Sequence, residues 1–412
     1  MQQLTVERKV VLGFQHTVAM FGATILVPLI TGLDPSVALI SAGIGTLLFH
    51  LVTKMMVPVF LGSSFAFIPP ILAAAGQGAT WGEIGIGIAA AGAMYLIMAG
   101  IVALIGPGFI RRLFPPIVTG PVIAVIGITL APVAISQAES DWWVAVVTLL
   151  AVIAAAIYFR GLFQMLPILT GFIVGLLFAW IFGAIGWVNE VDWTPLGDAE
   201  WAAWPNFITG DLSFNWDIVL LIAPVAFVTM IEHVGDILAN GRVVGKDFFA
   251  EPGVHRTLTG DGIATMFAGF VGGPPNTTYS ENTGVLAVTR VYDPMVLRIG
   301  AVFAILLGFI PKFGGLLRSV PVSVLGGLSI VLFGMIASVG LRTLVEGRVD
   351  FTRSRNMIVA ALILVFGLGV SGLSSPLSIT FGDTTIEISG LALAAVVGVA
   401  ANLILPRGEG DE

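Results

Sequence analysis

The sequence predicts an all-α, polytopic membrane protein of fourteen transmembrane segments, arranged as a 7+7 inverted repeat, and three observations carry that prediction. First, 57% of the 412 residues are hydrophobic, only 10% are charged, and the mean hydropathy is +1.01. A water-facing domain carries roughly 25% charged residues, so this chain has too little polar surface to cover a soluble exterior. Second, apolar stretches close to the ~20 residues that a bilayer crossing requires recur along the whole chain. Third, 51 glycines and 22 prolines punctuate those stretches, which suits close helix packing and broken helices.

The segments fall near 10–31, 36–54, 57–76, 82–106, 115–135, 142–159, 164–186, 217–240, 255–272, 275–290, 294–312, 320–340, 356–371 and 388–406. Two of them are poor spans. Residues 57–76 carry Pro58, Gly62, Ser63, Ser64, Pro69 and Pro70, and residues 275–290 carry Pro275, Asn276, Thr277, Thr278, Ser280, Glu281 and Asn282. Neither can be a lipid-facing helix, because backbone groups without internal partners survive at that depth only against protein or a water-filled cavity. Each is expected to be a short extended piece followed by a half-helix, and the two extended pieces can pair as an antiparallel ribbon.

Lys and Arg set the orientation. With the N-terminus inside, Arg8, Lys9, Lys54, Arg111, Arg112, Arg160, Arg242, Lys246, Arg256, Arg290, Arg298, Arg342, Arg348, Arg353, Arg355 and Arg407 all fall on the cytoplasmic side, and only Lys312 and Arg318 fall outside. Segment 187–217 has no Lys or Arg but holds Glu190, Asp192, Asp198, Glu200, Asp211 and Asp217, and it lands outside. The positive-inside rule is satisfied, with both termini cytoplasmic. Met1–Lys9 is short and polar, so no cleavable signal is expected.

The two halves echo one another. Gln15-His16 enters the first segment as Glu232-His233 enters the eighth, GSSFAFIPP (62–70) matches PPNTTYSEN (274–282), and LFPPIVTGP (113–121) resembles LRSVPVSVLGG (317–327). Because seven is odd, the second half enters from the opposite side, so the repeats are inverted, as in many secondary transporters.

The chemistry concentrates in VTMIEHVGDILANG (228–241). Glu232 and Asp236 are four residues apart and share one helix face, with His233 roughly 100° away. Carboxylates cost several kcal/mol in hydrocarbon unless water, partners or protons intervene, which points to a functional pocket. The half-helices aim unpaired N–H groups at mid-depth. Glu232 and Glu281 offer acceptors, while Phe65 and Tyr279 offer flat faces. That inventory suits a small, planar, neutral ligand with ring N–H donors beside carbonyls, such as a nucleobase. An inorganic anion would be repelled by the acidic pair. With no Cys, disulfides, thiolate catalysis and Cys-based metal sites are excluded, and His16, His50, His233 and His255 are too scattered for a metal cluster. No cofactor and no enzyme activity is expected.

QHTVAMFGATILVPL (15–29), LGSSFAFI (61–68), EHVGD (232–236) and PNTTYSENTGVLAVTR (275–290) resemble the motifs of the nucleobase–ascorbate transporter (nucleobase:cation symporter-2) family over nearly the whole chain. ENxGxxxxTR from Glu281 to Arg290 is similar to the family signature, and its opening glutamate, together with SSFAF, looks like the bacterial uracil permease branch. The resemblance implies a core (transport) domain from residues 1–112 and 201–315, and a gate domain from 113–200 and 316–412. It implies proton-coupled import of uracil across the cytoplasmic membrane by movement of core against gate. The implied partners are the base, protons, the lipid bilayer and a second copy joined through the gate domain, with no nucleic acid. Position by position, it implies that Glu232 and Glu281 bind ring N–H groups and that the main-chain N–H groups of Phe65 and Ser280 meet carbonyls. Ala23, Phe65, Tyr279 and Phe333 would form apolar walls, and Asp236, Glu232, Glu281 and His233 would carry proton coupling. Two departures stand out. Asp236 occupies a place where uracil permeases commonly have His and many purine members have Asp, and Ser280 occupies one where the family usually has Gly. The competing readings are a xanthine, urate or other purine symporter and, in a different class, an anion exchanger or channel.

Overall fold

The architecture was analysed in a computed structural model that describes residues 5–160, 164, 166–208, 212–373, 377–381 and 384–406. Asp211, Arg407 and the two chain ends, whose sides of the membrane were assigned above, lie outside the described residues.

The chain is mostly helical. Its first half comprises α1 (Val6–Thr31), α2 (Pro35–Val52), strand β1 (Leu61–Ser63), α3 (Ile68–Gly76), α4 (Trp81–Ile105), α5 (Gly108–Leu113), α6 (Pro116–Thr129), α7 (Ala131–Glu139), α8 (Trp142–Ile157) and α9 (Pro167–Gly183). The second half comprises α10 (Thr194–Asp198), α11 (Trp216–Ile222), α12 (Ala226–Val244), α13 (Val254–Val271), strand β2 (Asn276–Thr278), α14 (Ser280–Thr289), α15 (Pro294–Gly308), α16 (Pro311–Arg318), α17 (Val322–Glu346) and α18 (Ser354–Ser371). A hairpin of β3 (Ser378–Phe381) and β4 (Thr384–Glu387) precedes α19 (Gly390–Ile404).

Local sequence explains where many helices begin. Thr5 caps α1 by accepting from the Arg8 N–H, Asp34 caps α2 ahead of Pro35, and Asp141 and Asp293 cap α8 and α15. Thr80 and Glu83 form a reciprocal capping box at α4.

Among the described residues, seven helices are long and apolar enough to cross a bilayer: α1, α2, α4, the continuous α6–α7, the continuous α11–α12, α17 and α18. An eighth crossing arises if α15 and α16, bent by 80°, count as one. The remaining predicted segments fall on helices that are too short on that measure, such as α8, α9 and α19, or on α13, which carries His255, Arg256 and Asp261. Outward faces remain apolar, with Ile157, Trp180 and Val365 each more than half exposed, as suits contact with lipid rather than water.

The helices pack in two groups, each drawing on both halves of the sequence. In one, α4 lies along α13, α2 along α13 and α15, and α1 along α15. In the other, α17 is surrounded by α6, α7, α8 and α9, with α18 against α6 and α19. The α4–α13 crossing depends on glycine. A Cβ at Gly92 would sit 2.6 Å from the Gly262 carbonyl oxygen, and one at Gly85 would sit 2.5 Å from that of Gly269. Such small-residue seams let helix backbones approach closely where lipid supplies no hydrophobic drive between helices.

Candidate functional site

Two short strands from opposite halves of the chain meet in the interior. β1 pairs antiparallel with β2 in the register Leu61–Thr278, Gly62–Thr277 and Ser63–Asn276. The ladder extends at both ends, since the Ser64 N–H donates to the Pro275 carbonyl (2.8 Å) and the Tyr279 N–H to that of Phe60 (3.0 Å). Strand backbone at this depth needs a partner for every polar group, and neighbouring side chains supply the rest. Thr46 Oγ1 accepts from the Leu61 N–H at 2.9 Å, Ser63 Oγ donates to the Thr24 carbonyl at 2.8 Å, and Thr265 Oγ1 donates to that of Asn276 at 3.1 Å. The Asn276 amide donates to the carbonyls of Ser41 and Ala264.

Each strand runs into a helix. After β1 comes a 3₁₀ turn over Phe65–Phe67 and then α3; after β2, α14 starts at Ser280. Phe65 and Ser280 are therefore first residues, whose N–H groups have no preceding helical carbonyl to bond. Gly62 is required by the ring opposite it. A Cβ there would lie 2.4 Å from Tyr279 Cζ and 2.6 Å from Thr24 Oγ1. The closeness seats the Tyr279 hydroxyl, which donates to the Ser63 carbonyl at 2.9 Å.

α12 passes alongside and contributes the acidic face. A cavity of about 410 Å³ is lined by Phe65, Glu232, Asp236, Tyr279, Ser280 and Glu281, among others. Its opposite wall comes from Ile123 of α6 and from Leu332, Met335, Ile336, Val339 and Arg342 of α17, a stripe at helical spacing. Asp236 accepts from Ser280 Oγ at 2.6 Å and from Thr278 Oγ1 at 2.9 Å, so it ties α12 to the start of α14. Glu232 faces the charges of Asp236 and Glu281 and, among the described residues, accepts no hydrogen bond from another side chain.

Of the residues singled out from sequence, the structure brings Phe65, Glu232, Asp236, Tyr279, Ser280 and Glu281 to this one cavity. Ala23, Phe333 and His233 are not among its lining. Ala23 is buried within α1. Phe333 is one position off the α17 stripe and meets Phe65 edge-on, with ring centroids 5.7 Å apart, so it backs the wall rather than forming it. His233 turns away and places Nδ1 3.0 Å from Asp261 Oδ2, with both side chains fully buried beneath Tyr95 and Phe49. His16 accepts from the Asn282 amide at Nδ1 (3.1 Å) and at its carbonyl (3.0 Å), bracing α14 against α1. Sequence reasoning passed over Asp261 and the α17 stripe. An acidic residue within a predicted span and an i, i+3, i+4, i+7 apolar series are the signals that would have found them. No group of three or more His, Asp or Glu is placed to hold a metal among the described residues.

Fold and site together define a multi-pass membrane protein with an interior cavity lined by acidic and aromatic side chains. The chain belongs to the permease family, whose model (Xan_ur_permease) matches residues 7–375. It is a transporter rather than an enzyme. It is 46% identical to the uracil permease of Bacillus caldolyticus over 415 residues, covering 98% of this chain and 93% of that protein. It is 43% identical to the uracil permease of Bacillus subtilis (strain 168), covering 97% and 93%, and 38% identical to that of Escherichia coli (strain K12), covering 95% and 90%. Among solved structures, it is similar in fold to the transmembrane domain of a cyanobacterium bicarbonate transporter, BicA, with a TM-score of 0.67 at 12% identity over 90% of this chain and 97% of that one. Murine Slc26a9, an anion transporter in the inward-facing state, gives a TM-score of 0.67 at 12% identity over 98% of this chain and 69% of that one.

Proposed function

We propose that the protein is a proton-coupled symporter that imports uracil across the cytoplasmic membrane. The carrying observation is the convergence of Glu232, Glu281, Tyr279 and the helix-start residues Phe65 and Ser280 on one cavity of about 410 Å³. A pyrimidine ring has alternating N–H donors and carbonyl acceptors. Carboxylates take the former, main-chain donors meet the latter, and aromatic faces sandwich the ring. Relatives named uracil permeases at up to 46% identity support the choice of base.

In this reading the chain makes fourteen crossings as an inverted 7+7 repeat with both termini cytoplasmic, and the third and tenth crossings are the β1–α3 and β2–α14 units. The α4–α13 group is the core that carries the base. The α6–α17 group is the gate, through which two copies pair. Three carboxylates on one cavity repel unless protons are shared among them. A proton bound with the base lowers the charge that the core must carry past the apolar α17 stripe. Asp236, joined to Thr278 and Ser280, relays that protonation between α12 and α14.

Asp236 also favours a second reading, a purine symporter. The fold likeness to anion transporters favours a third, which the carboxylate-lined cavity opposes electrostatically. Labelled uracil uptake into proteoliposomes, with unlabelled uracil, thymine, 5-fluorouracil and xanthine as competitors, separates them. Uracil and 5-fluorouracil should compete and xanthine should not; dominance of xanthine would reassign the base, and no uracil uptake would end the reading.

A further inference from the structure

The main cavity does not stop at Asp236. Its own lining reaches Ala239, Val243 and Arg342, and a smaller space of about 100 Å³ beside it shares Ile123, Asp236, Ala239, Ser280, Val339 and Arg342 and is also lined by Arg242, Glu346 and Gly347, at the far ends of α12 and α17. Across that end one carboxylate is held between two guanidinium groups. Glu346 Oε2 lies 3.2 Å from Arg242 Nη1, and Glu346 Oε1 lies 3.5 Å from Arg342 Nε. Arg242 is in the last turn of α12, the helix that bears Glu232 and Asp236. Arg342 and Glu346 are one turn apart on α17, the helix that forms the opposite wall.

We infer that Glu346, clamped between Arg242 and Arg342, is the cytoplasmic gate of the cavity, and that base release requires the Arg242–Glu346 contact to part. The inference rests on the cavity being the base site proposed above. α12 packs on α14, α4 and β2 and, across the cavity, on α6 and α19, whereas α17 packs on α6, α7, α8 and α9, so the Arg242–Glu346 contact is one of those that bridge the two groups and changes when they shift. The Arg242 side chain is 67% exposed and that of Glu346 50%, so the pair lies at the surface rather than in the packed interior. Such a pair is weak and exchanges readily, which suits a contact broken in every cycle; a buried pair would lock the mouth. The positive-inside distribution puts this end of α12 and α17 at the cytoplasm.

Because the chain has no Cys, a single Ala239→Cys reports access to the passage without background. In inside-out vesicles, a membrane-impermeant maleimide should label Ala239→Cys slowly, and severalfold faster when Glu346→Gln or Arg242→Gln is added. The exchanged pair Arg242→Glu/Glu346→Arg should return labelling to the slow rate. Unchanged rates in both single variants overturn the gate. Added uracil supplies the control for the site and for folding. If uracil fails to slow labelling of Ala239→Cys itself, the base-site reading fails; if it protects while the gate variants leave the rate unmoved, the gate alone fails.

Discussion

Glu232 and Asp236 occupy one face of one helix yet are equipped differently. Asp236 is engaged by two hydroxyls, at 2.6 and 2.9 Å, whereas Glu232 takes no side-chain hydrogen bond among the described residues. In the proposed mechanism this divides their labour. Glu232→Gln replaces a carboxyl acceptor by an amide, and a buried donor left without its acceptor costs about 1–3 kcal/mol. Uracil should therefore bind roughly 10- to 100-fold more weakly, read by titration calorimetry of the purified protein. Asp236→Asn keeps an acceptor for Ser280 but cannot take up a proton and release it. It should retain uracil binding and base exchange while losing accumulation against a gradient. Accumulation equal to that of the parent would remove Asp236 from the coupling. The two substitutions thus separate ligand holding from proton handling, and a common loss of binding would assign both residues to the ligand.

The element on which these residues depend is the β1–β2 ribbon. Helices can be placed in a bilayer on their own hydrogen bonds, but two three-residue strands cannot, and this pair is held by Thr46, Ser63, Thr265 and Asn276. Its tightest point is Gly62 against Tyr279. Gly62→Ala forces the ring away from the ribbon and weakens the Tyr279–Ser63 bond, at a cost typical of overpacking, about 1–3 kcal/mol. The expected result is a lower melting temperature in detergent and a smaller rise on adding uracil, because the displaced ring also faces the cavity. A variant with parental melting and a parental uracil response would show that the ring has room to move. The ribbon was legible in Pro275, Asn276, Thr277 and the GSS run, which no lipid-facing helix accommodates. Its register was not, because that is set by side chains on α2 and α13 more than a hundred residues apart in the chain.

At the scale of the whole molecule, two packing groups face each other across the cavity, with α12 and α14 on one side and the α17 stripe on the other. If the groups move against each other with a shared proton, collapsing the proton gradient at constant pH should abolish uphill uracil uptake and leave counterflow exchange intact. Uptake indifferent to the gradient would exclude proton coupling. Salt should affect these rates little, because ions screen buried cavity charges far less than exposed ones such as the Arg242–Glu346 pair.

Composition and periodicity alone determined that this chain lives in a bilayer, since 10% charged residues cannot cover a water-facing surface, and the motif-bearing segments already marked Glu232, Glu281, Phe65 and Tyr279. Those readings were possible because the cost of placing polar groups in hydrocarbon is local and large. Tertiary structure alone decided which way each side chain points. It turned His233 from the cavity toward Asp261, set Phe333 behind Phe65, and brought Glu346 of α17 against Arg242 of α12. These outcomes depend on helix rotation about its axis, where one residue shifts the facing by about 100°, and that angle is set by packing against helices distant in the sequence.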